Sequence, residues 1–281
     1  TPLYSSAASD VYKRQALHQD VRPGARILLD DGNLELRVES VDGQDVHCHV
    51  VQGGVLKNKK GINLPDVAVS APALTLQDRD DARFSLSLGV DYLALSFVRH
   101  ASDIVELRAL IVASNIGADT AIIAKIEKPE ALVDIDAIID AADGIMVARG
   151  DLGVELPPES VPFIQSELID RARARSKPVI VATQMLESMI SNPRPTRAEV
   201  SDVSTAVLAG ADAVMLSAET ASGAFPVQAV ATMDRVARQT EANLWRHGAF
   251  ESILHGPARP PPITIAEAVA KATSQLSRDL Q

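Results

Sequence analysis

Five short apolar runs, each followed by a stretch of helical composition, set the frame for residues 92–219. They are Tyr92-Leu93-Ala94-Leu95-Ser96, Ala121 to Glu127, Gly144 to Ala148, Pro178 to Thr183 and Ala213 to Ser217. Runs so continuously apolar predict a parallel sheet covered by helices. The first polar residues at their C-terminal ends are Ser96, Glu127, Asp151, Thr183 and Glu219, at intervals of 31, 24, 32 and 36 residues. Those are the lengths of successive βα units, roughly 30 residues each. Every unit therefore delivers a polar group to the same end of its strand. In a (β/α)8 barrel that end carries the active site. An open doubly wound sheet has similar spacing, but no G-x-G-x-x-G fingerprint accompanies it here, and the barrel is favoured.

Upstream, from about Ile27 to Val55, the texture is β. Leu34, Leu36 and Val38 alternate with Glu35, Arg37 and Glu39 after a turn at Asp30-Asp31-Gly32-Asn33, and a second run, Val46 to Val51, follows Asp42-Gly43. This predicts a small all-β module. His47-Cys48-His49 within it is explained by strand alternation without a metal. Composition narrows the function classes. With 46% hydrophobic and 23% charged residues the chain can build a core, which excludes a disordered polymer. The net charge of −10 and pI near 5.1 give no basic footprint for nucleic acid. No run reaches the roughly 18 apolar residues of a membrane span, and the first residues lack the apolar centre of a secretory signal, so a cytoplasmic protein without membrane attachment is expected. The single Cys48 rules out an intrachain disulfide. The chain does not begin with Met, and it stops in an amphipathic segment, Ile265 to Ala272, just after a Pro-rich break at Pro257 to Pro262. A piece of a longer protein is the expectation.

Chemistry concentrates at the strand ends. Lys125 and Glu127 are two residues apart and project to the same side of their strand, so one cation and one anion share a face. A Lys inside an apolar strand is costly to bury without a purpose, although an internal ion pair serving stability has the same pattern. Asp151 follows a Gly-containing turn, Arg149-Gly150, that can aim backbone N–H groups at an anion. Glu127 and Asp151 on one rim form a hard oxygen pair suited to Mg²⁺, and the lack of His and Cys disfavours zinc. Thr183-Gln184 and Ser217-Ala218-Glu219-Thr220 complete the rim, each being weak evidence alone because such residues often only cap helices. Thr196 and Glu199 have capping-box spacing.

Six segments, in order, resemble the pyruvate kinase family: Lys59-Lys60-Gly61-Ile62-Asn63-Leu64-Pro65, Ala124-Lys125-Ile126-Glu127, Met146 to Gly153, Ala182 to Met189, Pro195-Thr196-Arg197-Ala198-Glu199 and Leu216-Ser217-Ala218-Glu219-Thr220. The resemblance covers roughly residues 20–281. It implies a glycolytic phosphotransferase that moves the phosphoryl group of phosphoenolpyruvate to ADP, giving pyruvate and ATP, with Mg²⁺ and K⁺ as cofactors. It implies a homo-oligomer, a tetramer, for the full-length form. By the same resemblance Lys125 stabilises the transferring phosphoryl and the enolate, and Glu127 and Asp151 hold Mg²⁺. Ala148, Arg149, Gly150 and Asp151 receive the substrate, with backbone amides on its carboxylate. Thr183 lies beside the enolate carbon. Ser96, Arg99, Gln184, Ser217 and Glu219 support the rim, while Asp31, Lys60 and Asn63 lie on a lid toward the nucleotide.

The expected fold class is thus α/β, a partial (β/α)8 TIM barrel of about five βα units with the second half of an inserted β-barrel lid. The expected divisions are an unmatched leader over 1–15, a lid remnant over 16–70, the partial barrel over 71–245, and a linker with the first helix of a C-terminal domain over 246–281. The strands that the resemblance places before the lid, with its substrate-binding arginine and most K⁺ ligands, are absent, so the isolated 281-residue chain is expected to be inactive and prone to aggregate. Two other readings stand beside this one: a Mg²⁺-dependent aldolase or lyase on a phosphoenolpyruvate/pyruvate barrel, and a non-catalytic truncated paralogue.

Overall fold

A computed structural model describes residues 16–246, apart from 59, 66 and 68–71, and residues 264–279. The leader over 1–15, Lys59, the proposed lid boundary at 70–71 and the Pro-rich break at Pro257 to Pro262 lie outside the described residues.

After a short helix α1 (Leu17–Asp20), four strands build an antiparallel sheet: β1 (Arg26–Leu29), β2 (Leu34–Asp42), β3 (Asp45–Gln52) and β4 (Ile62–Asn63), in the order β3-β2-β1-β4. The β1–β2 turn puts Asp30, Asp31 and Gly32 at φ of 52°, 55° and 83°. Asx residues and Gly tolerate this left-handed backbone best, and the Asn33 side-chain amide secures the turn by donating to the Asp30 carbonyl at 2.7 Å. Val21, Ile27, Leu29, Leu34, Val38 and Leu64 form the core of this small sheet. Cys48 packs against that core while His47 and His49 are exposed, the outcome that strand alternation predicts.

The second sheet is parallel, with β5 (Tyr92–Leu95), β6 (Ala121–Ile126), β7 (Gly144–Ala148), β8 (Val179–Ala182) and β9 (Ala213–Met215) in chain order. Helices α2 (Leu76–Ser87), α3 (Ala101–Ala113), α4 (Pro129–Val133), α5 (Ile135–Ala141), α6 (Arg149–Glu155), α7 (Val161–Ala174), α8 (Arg197–Ala209), α9 (Ala218–Ala221), α10 (Pro226–Arg246) and α11 (Ile265–Asp279), with short 3-10 helices at Pro158–Ser160 and Glu187–Ile190, complete the described elements. Thr196 and Glu199 do form the capping box expected at the start of α8, and Gly210 at φ 93° ends that helix in the left-handed region.

The two faces of the parallel sheet have different partners. Ile122, Ala124, Ile126, Ile145, Val147, Val179 and Val181 join one core with Ile104, Leu107 and Ile111 of α3, Leu168 and Ile169 of α7 and Val203 of α8. Ile123, Met146 and Ala182, with Ile180 and Met215, form a separate cluster on the opposite face, with no helical residue in it. Helices on one face and a side-chain layer on the other is the arrangement of a (β/α)8 barrel wall, whereas a doubly wound sheet carries helices on both. The sheet is open between β5 and β9. Four of the five strands stop short of their apolar runs, so Ser96, Glu127, Thr183 and Ser217 stand just beyond them, at the C-terminal rim, while β7 fills its run.

Candidate active site at the C-terminal rim

Lys125 projects from β6 on the same face as Ile123, and its ammonium lies 2.8 Å from Ser96 Oγ and 2.6 Å from Glu127 Oε1. Glu127 is almost wholly buried, and its second oxygen accepts from the Phe97 backbone amide at 2.7 Å. That amide is aimed by a left-handed Phe97, φ 55°, a conformation costing on the order of 1–2 kcal/mol for a non-glycine residue. Ser96, Lys125 and Glu127 therefore form one connected group across the β5 and β6 ends. Arg99 stands close by in sequence, its backbone amide donating to Asp103 Oδ2 at 2.9 Å at the start of α3.

The stretch 149–153 is not the open glycine turn that its sequence suggests. Arg149–Glu155 is helical, and its first amides lack partners in the preceding turn. One of them is already taken: the Gly150 amide donates to Thr183 Oγ1 at 2.7 Å. Ala148 is buried at the end of β7, and Asp151 sits in the first turn of α6. Burial pushes the Asp151 carboxyl above its ordinary value, with the Glu127 charge next in importance and Asp31 of the β1–β2 turn adding to it; Lys125 acts in the other direction. The Glu127 charge thus bears on the Asp151 carboxyl.

Thr183, directly after β8, is left-handed, φ 70°, and is followed by exposed Gln184 at φ 54°. A β-branched residue is a genuine outlier there. Three contacts hold it: Thr183 Oγ1 donates to the Ala182 carbonyl at 2.6 Å, accepts from Gly150, and the Thr183 carbonyl accepts from Arg149 Nη2 at 2.7 Å. A Cβ at position 150 would come within 3.3 Å of that hydroxyl, so glycine permits the close approach. Glu219, buried, uses both oxygens on backbone: Oε2 accepts from Ser217 at 2.8 Å and Oε1 from Leu186 at 3.1 Å, tying the ends of β9 and β8 together.

Several expected site residues have different surroundings from those the sequence suggests. The Arg149 side chain is buried behind the rim, where it meets Asp202 at 2.7 Å, Gln165 at 3.3 Å and Met185 Sδ at 2.7 Å. Lys60 pairs with Asp30 within the small sheet, holding the Asp30 carboxyl below its usual value. Asn63 is buried, its amide donating to Glu155 Oε1 at 3.2 Å. Sequence reasoning passed over Lys128, Glu155, Asp202 and the Phe97 amide. The available signal for Glu155 was its i, i+4 spacing from Asp151, and for Lys128 its adjacency to Glu127.

The donor set at this rim fits Mg²⁺: the carboxylates of Glu127 and Asp151, the latter raised in pKa by burial and by the former, with no imidazole or thiolate joining them among the described residues. Among the described residues no three His, Cys, Asp or Glu converge, so the protein offers two carboxylates there, and no residue set is assigned to K⁺. Asp151→Asn is expected to raise the melting temperature in metal-free buffer. A carboxyl whose folded pKa is raised binds its proton more tightly in the fold, so stability falls as pH rises through that pKa, and the penalty is absent below the unfolded value. The gain should be largest at neutral pH and shrink on acidification; equal melting curves at all pH values would show that Asp151 is not held against its preference.

The sequence family described as "Pyruvate kinase, barrel domain" matches residues 7–230, starting within the first 15 residues. Pyruvate kinase 2 of Synechocystis is 51% identical over 266 residues, 94% of this chain and 43% of that protein. Pyruvate kinase of Geobacillus stearothermophilus is 49% identical over 267 residues, 94% and 45%, and that of Mycobacterium tuberculosis is 54% identical over 235 residues, 84% and 49%. The chain spans about half the length of these curated relatives. Among the described residues no helix is long and apolar enough to cross a membrane. With the family match running through both sheets and across the whole C-terminal rim, the chain belongs to the pyruvate kinase family.

Proposed function

We propose that this rim transfers the phosphoryl group of phosphoenolpyruvate to ADP, yielding pyruvate and ATP. The observation that carries the reading is the Ser96–Lys125–Glu127 group beside Asp151, a cation and two carboxylates at one end of a parallel sheet. In-line phosphoryl transfer needs positioning and charge neutralisation more than a covalent nucleophile. A Mg²⁺ ion, when bound by Glu127 and Asp151, neutralises phosphate charge. Lys125, about a quarter exposed and fixed by Ser96 and Glu127, presents its ammonium to the phosphoryl group and to the enolate oxygen that gains charge as the P–O bond breaks. Glu127 orients Lys125, and the Phe97 amide orients Glu127. The first turn of α6 receives the substrate carboxylate through amides other than that of Gly150, which Thr183 occupies. Thr183 fixes the rim where the enolate carbon is protonated. K⁺ dependence, a homotetramer and a glycolytic role in the cytoplasm belong to the same reading, on family grounds.

The test is to give the full-length form phosphoenolpyruvate, Mg²⁺ and K⁺, with and without ADP, and follow pyruvate and ATP by NMR. Pyruvate that appears only with ADP, with matching ATP, is expected. Pyruvate formed without ADP, with matching inorganic phosphate, would mean transfer to water and overturn the kinase reading, and none under either condition would favour the lyase or the non-catalytic reading.

A further inference from the structure

We infer that Glu155 is a positioning residue that links the small antiparallel sheet to the Glu127–Asp151 pair; this rests on the metal reading of that pair. Glu155, Asn63 and Lys128 are each at least nine-tenths buried. Glu155 Oε1 accepts from Asn63 Nδ2 at 3.2 Å and is ion-paired with Lys128 Nζ. Each partner leads to a different part of the site. Asn63 lies on β4, paired with Leu28 of β1. Lys128 directly follows Glu127, and Glu155 lies one helical turn after Asp151 on α6. A single carboxylate oxygen thus joins the small sheet, the end of β6 and the helix bearing Asp151.

A second contact strengthens the connection. A Cβ built on Gly32, in the β1–β2 turn, would lie 3.8 Å from Val154 Cγ1, so the turn rests on α6 beside Glu155. Helix α6 is therefore held at its start by Thr183 and at its end by the small sheet.

An apolar trio would seal this contact, and buried ion pairs are often replaceable by hydrophobic groups without loss of stability. What an apolar trio lacks is direction. Moving β4 relative to the parallel sheet either carries α6 with it or leaves Glu155 and Lys128 charged, buried and badly paired, which is costly. The position of the small sheet and the geometry of the carboxylate pair are hence coupled, and coupling between two sites is reciprocal.

Amide hydrogen exchange with and without Mn²⁺, used as the probe of the carboxylate pair, tests this on the full chain. In the parent, Mn²⁺ is expected to raise protection in β1 and β4. Asn63→Ala, which cuts the link on the sheet side, should lower β1 and β4 protection about tenfold, the loss of one buried hydrogen bond, and leave β6 to β8 unchanged. It should also abolish the Mn²⁺ response in β1 and β4 while Mn²⁺ still binds. Lys128→Met with Glu155→Gln removes both buried charges together and should lose the same response; it carries the test if Asn63→Ala does not fold. A parent-like Mn²⁺ response in either folded variant overturns the inference. If the parent binds no Mn²⁺, the metal reading fails, and the link is judged on metal-free exchange alone: unchanged β1 and β4 protection in the variants overturns it, and a selective loss there supports the mechanical tie.

Discussion

Under the proposed reaction, Lys125→Met in the full-length form is expected to lower phosphoryl transfer about a thousandfold or more, mainly in kcat, with a much smaller change in the KM for phosphoenolpyruvate. Removing one preorganised charge stabiliser commonly costs 100- to 1,000-fold, and phosphoryl transfer relies on such groups more heavily than most reactions. Methionine keeps the length and most of the apolar stem of lysine, so the wall of β6 beside Ile123 should stay filled. What disappears is the ammonium held by Ser96 and Glu127. Because that charge gains most as the phosphoryl group moves, its loss falls on the transition state more than on the bound ground state. Cation binding should not weaken, since Lys125 opposes the negative charge of the carboxylate pair and its removal leaves that pair less compensated. Near-normal kcat with unchanged Mn²⁺ affinity would take Lys125 out of the mechanism.

The second large effect concerns stability. Arg149→Met should destabilise the protein by about 2–4 kcal/mol, read as a lower denaturant midpoint at unchanged slope. The guanidinium holds Asp202 on α8, Gln165 on α7 and the carbonyl of left-handed Thr183, three elements converging behind the rim. Removing it leaves the Thr183 carbonyl without that donor and a part-buried Asp202 without its cation. The estimate stays below the sum of those contacts because Arg149 Nε is itself buried with no hydrogen-bond partner, a cost that methionine relieves. Arg149→Lys keeps the charge but not the fork and should lose an intermediate amount. An unchanged midpoint in Arg149→Met would mean that Thr183 keeps its conformation through Gly150 and Ala182 alone.

Much of this architecture is legible in the amino-acid order, because the decisive patterns lie within single elements. Continuous apolar runs at βα spacing predict a parallel sheet with its polar groups at one end, and period-two alternation puts Lys125 and Glu127 on one face. The spacing of Thr196 and Glu199 predicts the box that starts α8, and Asp30-Asp31-Gly32-Asn33 predicts the turn it forms. Tertiary structure alone decides which face the helices cover, that Gly150 gives its amide to Thr183, that the Arg149 side chain leaves the rim, and that Asn63 is buried on Glu155. The physical reason is separation along the chain. Arg149 and Asp202 are 53 residues apart, and Asn63 and Glu155 are 92 apart. Periodicity orients a side chain relative to its own helix or strand, but which distant group it meets depends on how whole elements pack, and a buried polar group takes whatever partner that packing brings within reach.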